Sequence, residues 1–258
     1  MSKKAEVKVT NDNMVMEVAG MFEEDAGSGM ENMGAEDLAL PFLKVLSGND
    51  PVLDVLEDAK KGDIYNTVTG ASYKGSTGIK VIPCAYQRRF LQWSPRGEGS
   101  GAPIAIYKPE DNRPRTERSP DDNKEYVVDG NGTYIEETHQ HFVIMGDDEQ
   151  GYATALISMK STQLKKSRKW NSMMQSVQLV GKNGPFTPPR FSHIYHLKTI
   201  KEENSKGSWH GWEVSRVGPI TDVNLYKRCK DFAESIAKEE VVVKHEQEEV
   251  ATTTDVPF

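Results

Sequence analysis

Only two stretches of this 258-residue chain repeat apolar residues at helical spacing, and every other apolar pattern is short and β-rich. The first covers roughly 162–178, where Leu164, Met173, Met174 and Val177 fall on one face and Ser161 stands ready to cap the start. The second begins near Thr221-Asp222 and repeats Leu225, Tyr226, Cys229, Phe232, Ala233 and Ile236 with charges between them. Around them lie runs rich in β-branched and aromatic residues at about 63–68, 78–93, 125–128, 138–145, 152–159, 190–200 and 208–217. Gly70 and Gly75 punctuate the first gap, and the run from Gly146 to Gly151 reads as the turn of a hairpin. A mainly β protein with helices, of the α+β class, follows from this order.

Three strands, a helix and two further strands is also the element order of an OB-fold-like five-stranded barrel, with a helix between strands 3 and 4 and a C-terminal helix after the last strand. The expected domain is 38–238, with extra strands near its start and a long loop at 95–124 rich in Gly, Pro, Arg and Asp. Inside that loop only Ile104 to Tyr107 has the pattern to pair. Residues 1–37 are polar and acidic, with Met14, Met16, Met21, Met30 and Met33 scattered among them, and are expected to form a disordered arm. Residues 239–258 hold six acids against one lysine, Lys244, and are expected to be a disordered acidic tail.

Charge is unevenly distributed. The whole chain carries a net charge of -7, yet residues 150–201 contain no Asp or Glu and nine lysines and arginines. An acidic protein with one acid-free basic segment and an acidic end fits a polyanion binder that recruits partners. The two cysteines, Cys84 and Cys229, lie far apart and form no CxxC pair, as reduced thiols of a cytosolic protein would. No apolar run of about 18 residues spans a membrane, and the N-terminus lacks the apolar core of a signal peptide.

Three clusters interleave cations with aromatic rings, which suits phosphates and base faces together. The first is on the basic helix: Lys165, Lys166, Arg168, Lys169 and Trp170, with Lys160 just before it. The second is Arg88, Arg89, Phe90, Leu91, Gln92, Trp93 and Arg96, where strand alternation separates Arg89, Leu91 and Trp93 from Arg88, Phe90 and Gln92. Arg113, Arg115 and Arg118 lie close to it in sequence. The third is Arg190, Phe191, Tyr195 and Lys198, with Phe191, His193, Tyr195 and Leu197 on one side. The competing reading is a solvated basic face whose aromatic residues pack in the core. Of Trp209 and Trp212, on opposite faces of one strand, at least one is expected in the core.

His139 and His141 share a strand face, but no ligand pairs of structural-zinc spacing are present, so no metal and no cofactor is expected. The chain also lacks a nucleophile elbow, a phosphate-cradling glycine loop and HExxH, and no enzyme is expected.

The chain ends Asp255-Val256-Pro257-Phe258 after its acidic, Thr-rich stretch. A terminal aromatic ring with a carboxylate fits a basic-rimmed apolar pocket on a partner, with the proline limiting the entropy lost. The tip, the acidic stretch and the element order resemble bacterial and phage single-stranded DNA-binding proteins, whose bacterial members end in Asp-Ile-Pro-Phe. The resemblance implies an OB-fold protein of phage replication and recombination in the cytoplasm of the infected host. It also implies recruitment of DNA polymerase and helicase-primase through Asp255, Val256, Pro257 and Phe258, and a tail that folds back over the groove when DNA is absent. A homodimer is among the expected assemblies. Binding of RNA or duplex DNA, and a protein-protein adaptor without nucleic-acid binding, are the alternatives. The acidic, Met-rich arm has no counterpart in that pattern.

Overall fold

A computed structural model describes residues 20–245 apart from 23, 35–36, 96, 148–150, 205–206 and 242. Its contacts divide the chain between Leu38 and Ala39. The described part of the first unit makes local turns, such as Asp25 N–H to the Met21 carbonyl at 2.9 Å.

The second unit holds all the strands: β1 Leu43–Val45, β2 Ile64–Asn66, β3 Ser72–Tyr73, β4 Ile79–Trp93, β5 Ala105–Tyr107, β6 Thr116–Arg118, β7 Glu125–Val127, β8 Tyr134–Asp147, β9 Gly151–Lys160, β10 Leu179–Gly181, β11 Gly184–Phe186, β12 His193–Asn204 and β13 Gly207–Pro219. Helix α1, Leu164–Gln175, lies between β9 and β12, and α2, Val223–Ala237, follows β13. The fold is mainly β, and every paired strand in its ladders is antiparallel. The expected hairpin is the β8–β9 ladder, running from Thr138↔Lys160 to Asp147↔Gly151. The segment expected as a loop at 95–124 contains β5 and β6, and the loop expected after α1 contains the β10–β11 hairpin.

The main sheet runs β13-β12-β4-β8, with β9 on the free side of β8. It is open: no ladder among the described residues joins β9 to β13. Instead the chain before β2 fills that position. Leu156 of β9 donates its N–H to the Pro41 carbonyl at 2.8 Å, Phe42 bridges Leu156 in parallel, and β1 touches both β9 and β13. Leu43 then enters the central core with Val81, Val143, Ile157, Met159, Leu197 and Trp212.

Strand alternation sorts the remaining core. Val143 and Met145 point into the central cluster, whereas Ile144 joins Ile82, Cys84, Leu225 and Cys229 beneath α2. Both cysteines are free thiols in that layer. The register of β4 against β8 shifts between Pro83 and Ala85, a bulge that bends the strand. Beyond it, β4 and β8 run on as an arm carrying β5, β6 and β7. Helix α2 is capped by Asp222, whose carboxylate accepts the Leu225 N–H at 2.8 Å. Ser161 does not cap α1: a 3-10 turn at Ser161–Gln163 leads into the helix, with no side-chain cap.

A hydrogen-bond chain fastens α1 to the sheet through its buried Ser167. Arg190 Nη2 donates to His141 Nδ1 at 3.3 Å. An acceptor at Nδ1 puts the proton of a neutral imidazole on Nε2, which donates to Ser167 Oγ at 2.8 Å. Ser167 donates in turn to His139 Nδ1 at 2.8 Å, and His139 Nε2 donates to Glu137 Oε1 at 3.0 Å. Both histidines must be neutral for this order. Burial, then Arg190 and His139, holds His141 well below the usual histidine range, and burial also lowers His139 against the opposing pull of Glu137.

Ser167→Ala leaves buried ring nitrogens without partners and is expected to cost about 1–3 kcal/mol, read as a lower urea midpoint at neutral pH. The pH dependence has a fixed sign. His139, His141 and His193 are all held below their ordinary value by burial, and His245 is pushed down to about 4 by burial and Lys160. Unfolding lets each take up a proton at about pH 6.5. Stability should therefore be fully present above that value and fall as the pH drops toward 4. A urea midpoint that stays flat between pH 7 and 5 would contradict this network.

Candidate nucleic-acid interface

Past the bulge, the face of β4 that follows Tyr86 presents Arg88, Phe90 and Gln92, while Leu91 and Trp93 pack on Tyr134 behind it. Pairing sets the neighbours: Phe90 lies opposite Glu137 on β8 and opposite Tyr107 on β5. Arg88 Nε sits 2.9 Å from Glu137 Oε1, and its guanidinium is 4.9 Å from the centre of the Phe90 ring. Arg168, one residue past Ser167 on α1, reaches the same carboxylate oxygen at 3.6 Å. Arg113, between β5 and β6, lays its guanidinium 3.5 Å from the Phe90 ring centre. Three guanidiniums thus meet one carboxylate and one phenyl ring. Burial pushes the Glu137 carboxyl up, but the His139 bond and the Arg88 and Arg168 charges outweigh it and keep it below the usual range. Lys165 and Lys169 are exposed on the same helix and make no ion pair among the described residues.

The aromatic residues expected to stack on bases are placed otherwise. Trp170 is 0% exposed, fixed on the inner face of α1 with Ser167 and Met174, and stacks on His141 at 4.5 Å. Tyr195 is buried at 1% in the same core, and Trp93 is buried behind the arm. These three are corrected to core residues, because the inward side of each element is the one that carries them. Phe191 is half-buried against the layer under α2, its ring 5.2 Å from Tyr226. Trp212 is core, whereas Trp209 is half-buried and donates to Glu202 at 3.1 Å.

Several expected cations are also engaged elsewhere. Arg190 points inward, donating to Asn171 Oδ1 at 3.1 Å and to His141, and burial lowers it to about 10. Lys166 pairs with Glu202 at 2.7 Å and Lys160 with Glu136 at 3.4 Å. Lys198 is half-exposed on β12, which pairs with β4 only at Ile79–Val81, at the end of that strand away from Phe90. Arg89, on the opposite face from Arg88, lies near Glu239, which pairs with Lys108 at 2.6 Å. Arg96 and the terminal Asp255, Val256, Pro257 and Phe258 lie outside the described residues.

Sequence reasoning put Phe90 in a cation-aromatic cluster with Arg113 close by, but expected base stacking from Trp93 and not from Phe90. Alternation separated Phe90 from Trp93, but which side faces the core depends on the arm built by β5 to β8. The histidine pair is likewise committed: its ring nitrogens are taken by Glu137, Ser167 and Arg190. No helix among the described residues is long and apolar enough to cross a membrane.

A family model described as Pam3 phage gp34-like protein covers residues 9–242. No curated protein and no solved structure matches. The match takes in the main sheet, α1, α2 and the Phe90 cluster, and the chain belongs to the Pam3 phage gp34-like protein family.

Proposed function

We propose that this phage protein binds single-stranded DNA without sequence preference during replication and recombination in the host cytoplasm. Its acidic end would recruit replication proteins such as DNA polymerase and helicase-primase. The observation that carries the reading is the Phe90 cluster, in which Arg88, Arg113 and Arg168 outnumber their single carboxylate beside a half-buried aromatic ring. The strand order β13-β12-β4-β8-β9, with α1 between β9 and β12, is that of an OB-fold Greek key and supports the same reading. In such a barrel the loops after the first and fourth strands flank the ligand, and here the first of these is the arm that carries Arg113.

A second reading, an adaptor without nucleic-acid binding, draws on the ion pairs. Lys160, Lys166, Arg88 and Arg168 each face an acid that comes from outside the acid-free segment. That lowers the field available to a polyanion.

Anisotropy of labelled oligo-dT, at two salt concentrations and with a matched duplex as control, separates the two. Tryptophan fluorescence is a poor reporter, since Trp93, Trp170 and Trp212 are buried. Preference for oligo-dT, with the logarithm of the affinity falling linearly in log salt, is expected. Arg168→Glu, at an exposed position, should weaken binding and reduce the salt slope by about one or more. Absence of binding to either nucleic acid would leave the adaptor reading, and duplex binding as tight as oligo-dT binding would favour the RNA or duplex-DNA alternative.

The tail has its own test. Glu239 is paired to Lys108, and His245 is buried against Phe42 and Gln140, so both residues are tied to the body of the second unit. Truncation after His245 should tighten oligo-dT binding at low salt if residues 246–258 compete for the basic surface. Unchanged affinity would remove the competition.

A further inference from the structure

The Phe90 ring is half-buried, and the group lying across it is a guanidinium, not an apolar side chain. Arg113 is exposed and makes no ion pair among the described residues, so little besides the ring holds it there. On the β4 side the ring's neighbours are fixed: Arg88 is held by Glu137, and Tyr107 on β5 donates its hydroxyl to Gln92 Oε1 at 2.8 Å. One partner of the ring is therefore anchored and the other is carried on a connection between two three-residue strands.

A flat guanidinium at 3.5 Å occupies the place a nucleobase would take on the same ring. We infer that Phe90 and Arg113 form a base-stacking slot: a base of a single-stranded nucleic acid inserts between the phenyl ring and the guanidinium. This rests on the single-strand reading above. In the slot, Arg113 moves outward and covers the base, while Arg88 and Arg168 on its flank meet the neighbouring phosphates. The ring supplies sequence tolerance, because every base has a π face, and the arginine supplies a planar lid that a lysine cannot replace.

The test compares oligo-dT with an oligonucleotide of equal length made of abasic sites, which keeps the phosphates and removes the bases. The full chain should prefer oligo-dT. Phe90→Leu should weaken oligo-dT binding by about ten- to hundredfold and leave the abasic strand nearly unchanged. Arg113→Lys keeps the charge and loses the plane, and should weaken oligo-dT several-fold with the same lack of effect on the abasic strand. Urea midpoints of both variants verify that the fold is intact. If the intact chain binds neither strand, the single-strand reading falls and the slot with it. If it prefers oligo-dT and both variants bind that strand as tightly as the intact chain, the reading stands and the slot is refuted.

Discussion

One buried hydroxyl holds the arrangement together. Ser167 Oγ accepts from one histidine and donates to another, and through them α1 is bound to β8 and to the loop that carries Arg190. A serine offers a single donor, so the order of donation along the chain is fixed from Arg190 to Glu137. Removing water from such groups is tolerable only because each has its partner. The same chain delivers Glu137 as a carboxylate at the sheet surface, and Glu137 organises Arg88 and Arg168. The position of the candidate interface is thus a consequence of how the helix is attached.

The apolar face of α1 adds to this attachment. Trp170 and Met174 enter the core that also receives Leu43 from the N-terminal side and Trp212 from β13. Burying side chains of this size contributes on the order of 1.5–3 kcal/mol each. Such packing is what an open sheet needs when no ladder closes it. The segment from Pro41 to Val45 does the closing by contact, with one backbone hydrogen bond and one bridge to β9.

Much of the fold was legible in the sequence because its long elements are strongly patterned. The alternation in β4, β8, β9, β12 and β13 and the 3.6-residue spacing in α1 and α2 identify those elements, and the run from Gly146 to Gly151 marks the hairpin between β8 and β9. Strands of two or three residues, such as β3, β6 and the β10–β11 pair, carry too few residues for a period to register. The site was less legible, for two physical reasons. Alternation divides a strand into two faces without saying which is buried, and so Trp93 looked as available as Phe90. The acid-free segment looked unneutralised because Glu136, Glu137 and Glu202 lie outside it in sequence and beside it in space.

The bulge in β4 has one more implication. Pro83 faces Val143 and Ala85 faces Phe142, which leaves Cys84 as the residue without an opposite number. Loss of that residue would leave every other cross-strand pair in place. Length variation at this point therefore alters the bend of the strand and the aim of the arm while preserving the partnership of all its remaining residues. Among related chains, the reach of the arm relative to the rest of the sheet can drift by insertion or deletion here at little expense to the sheet, whereas the same change two residues later would exchange Phe90 for its neighbour on the candidate face.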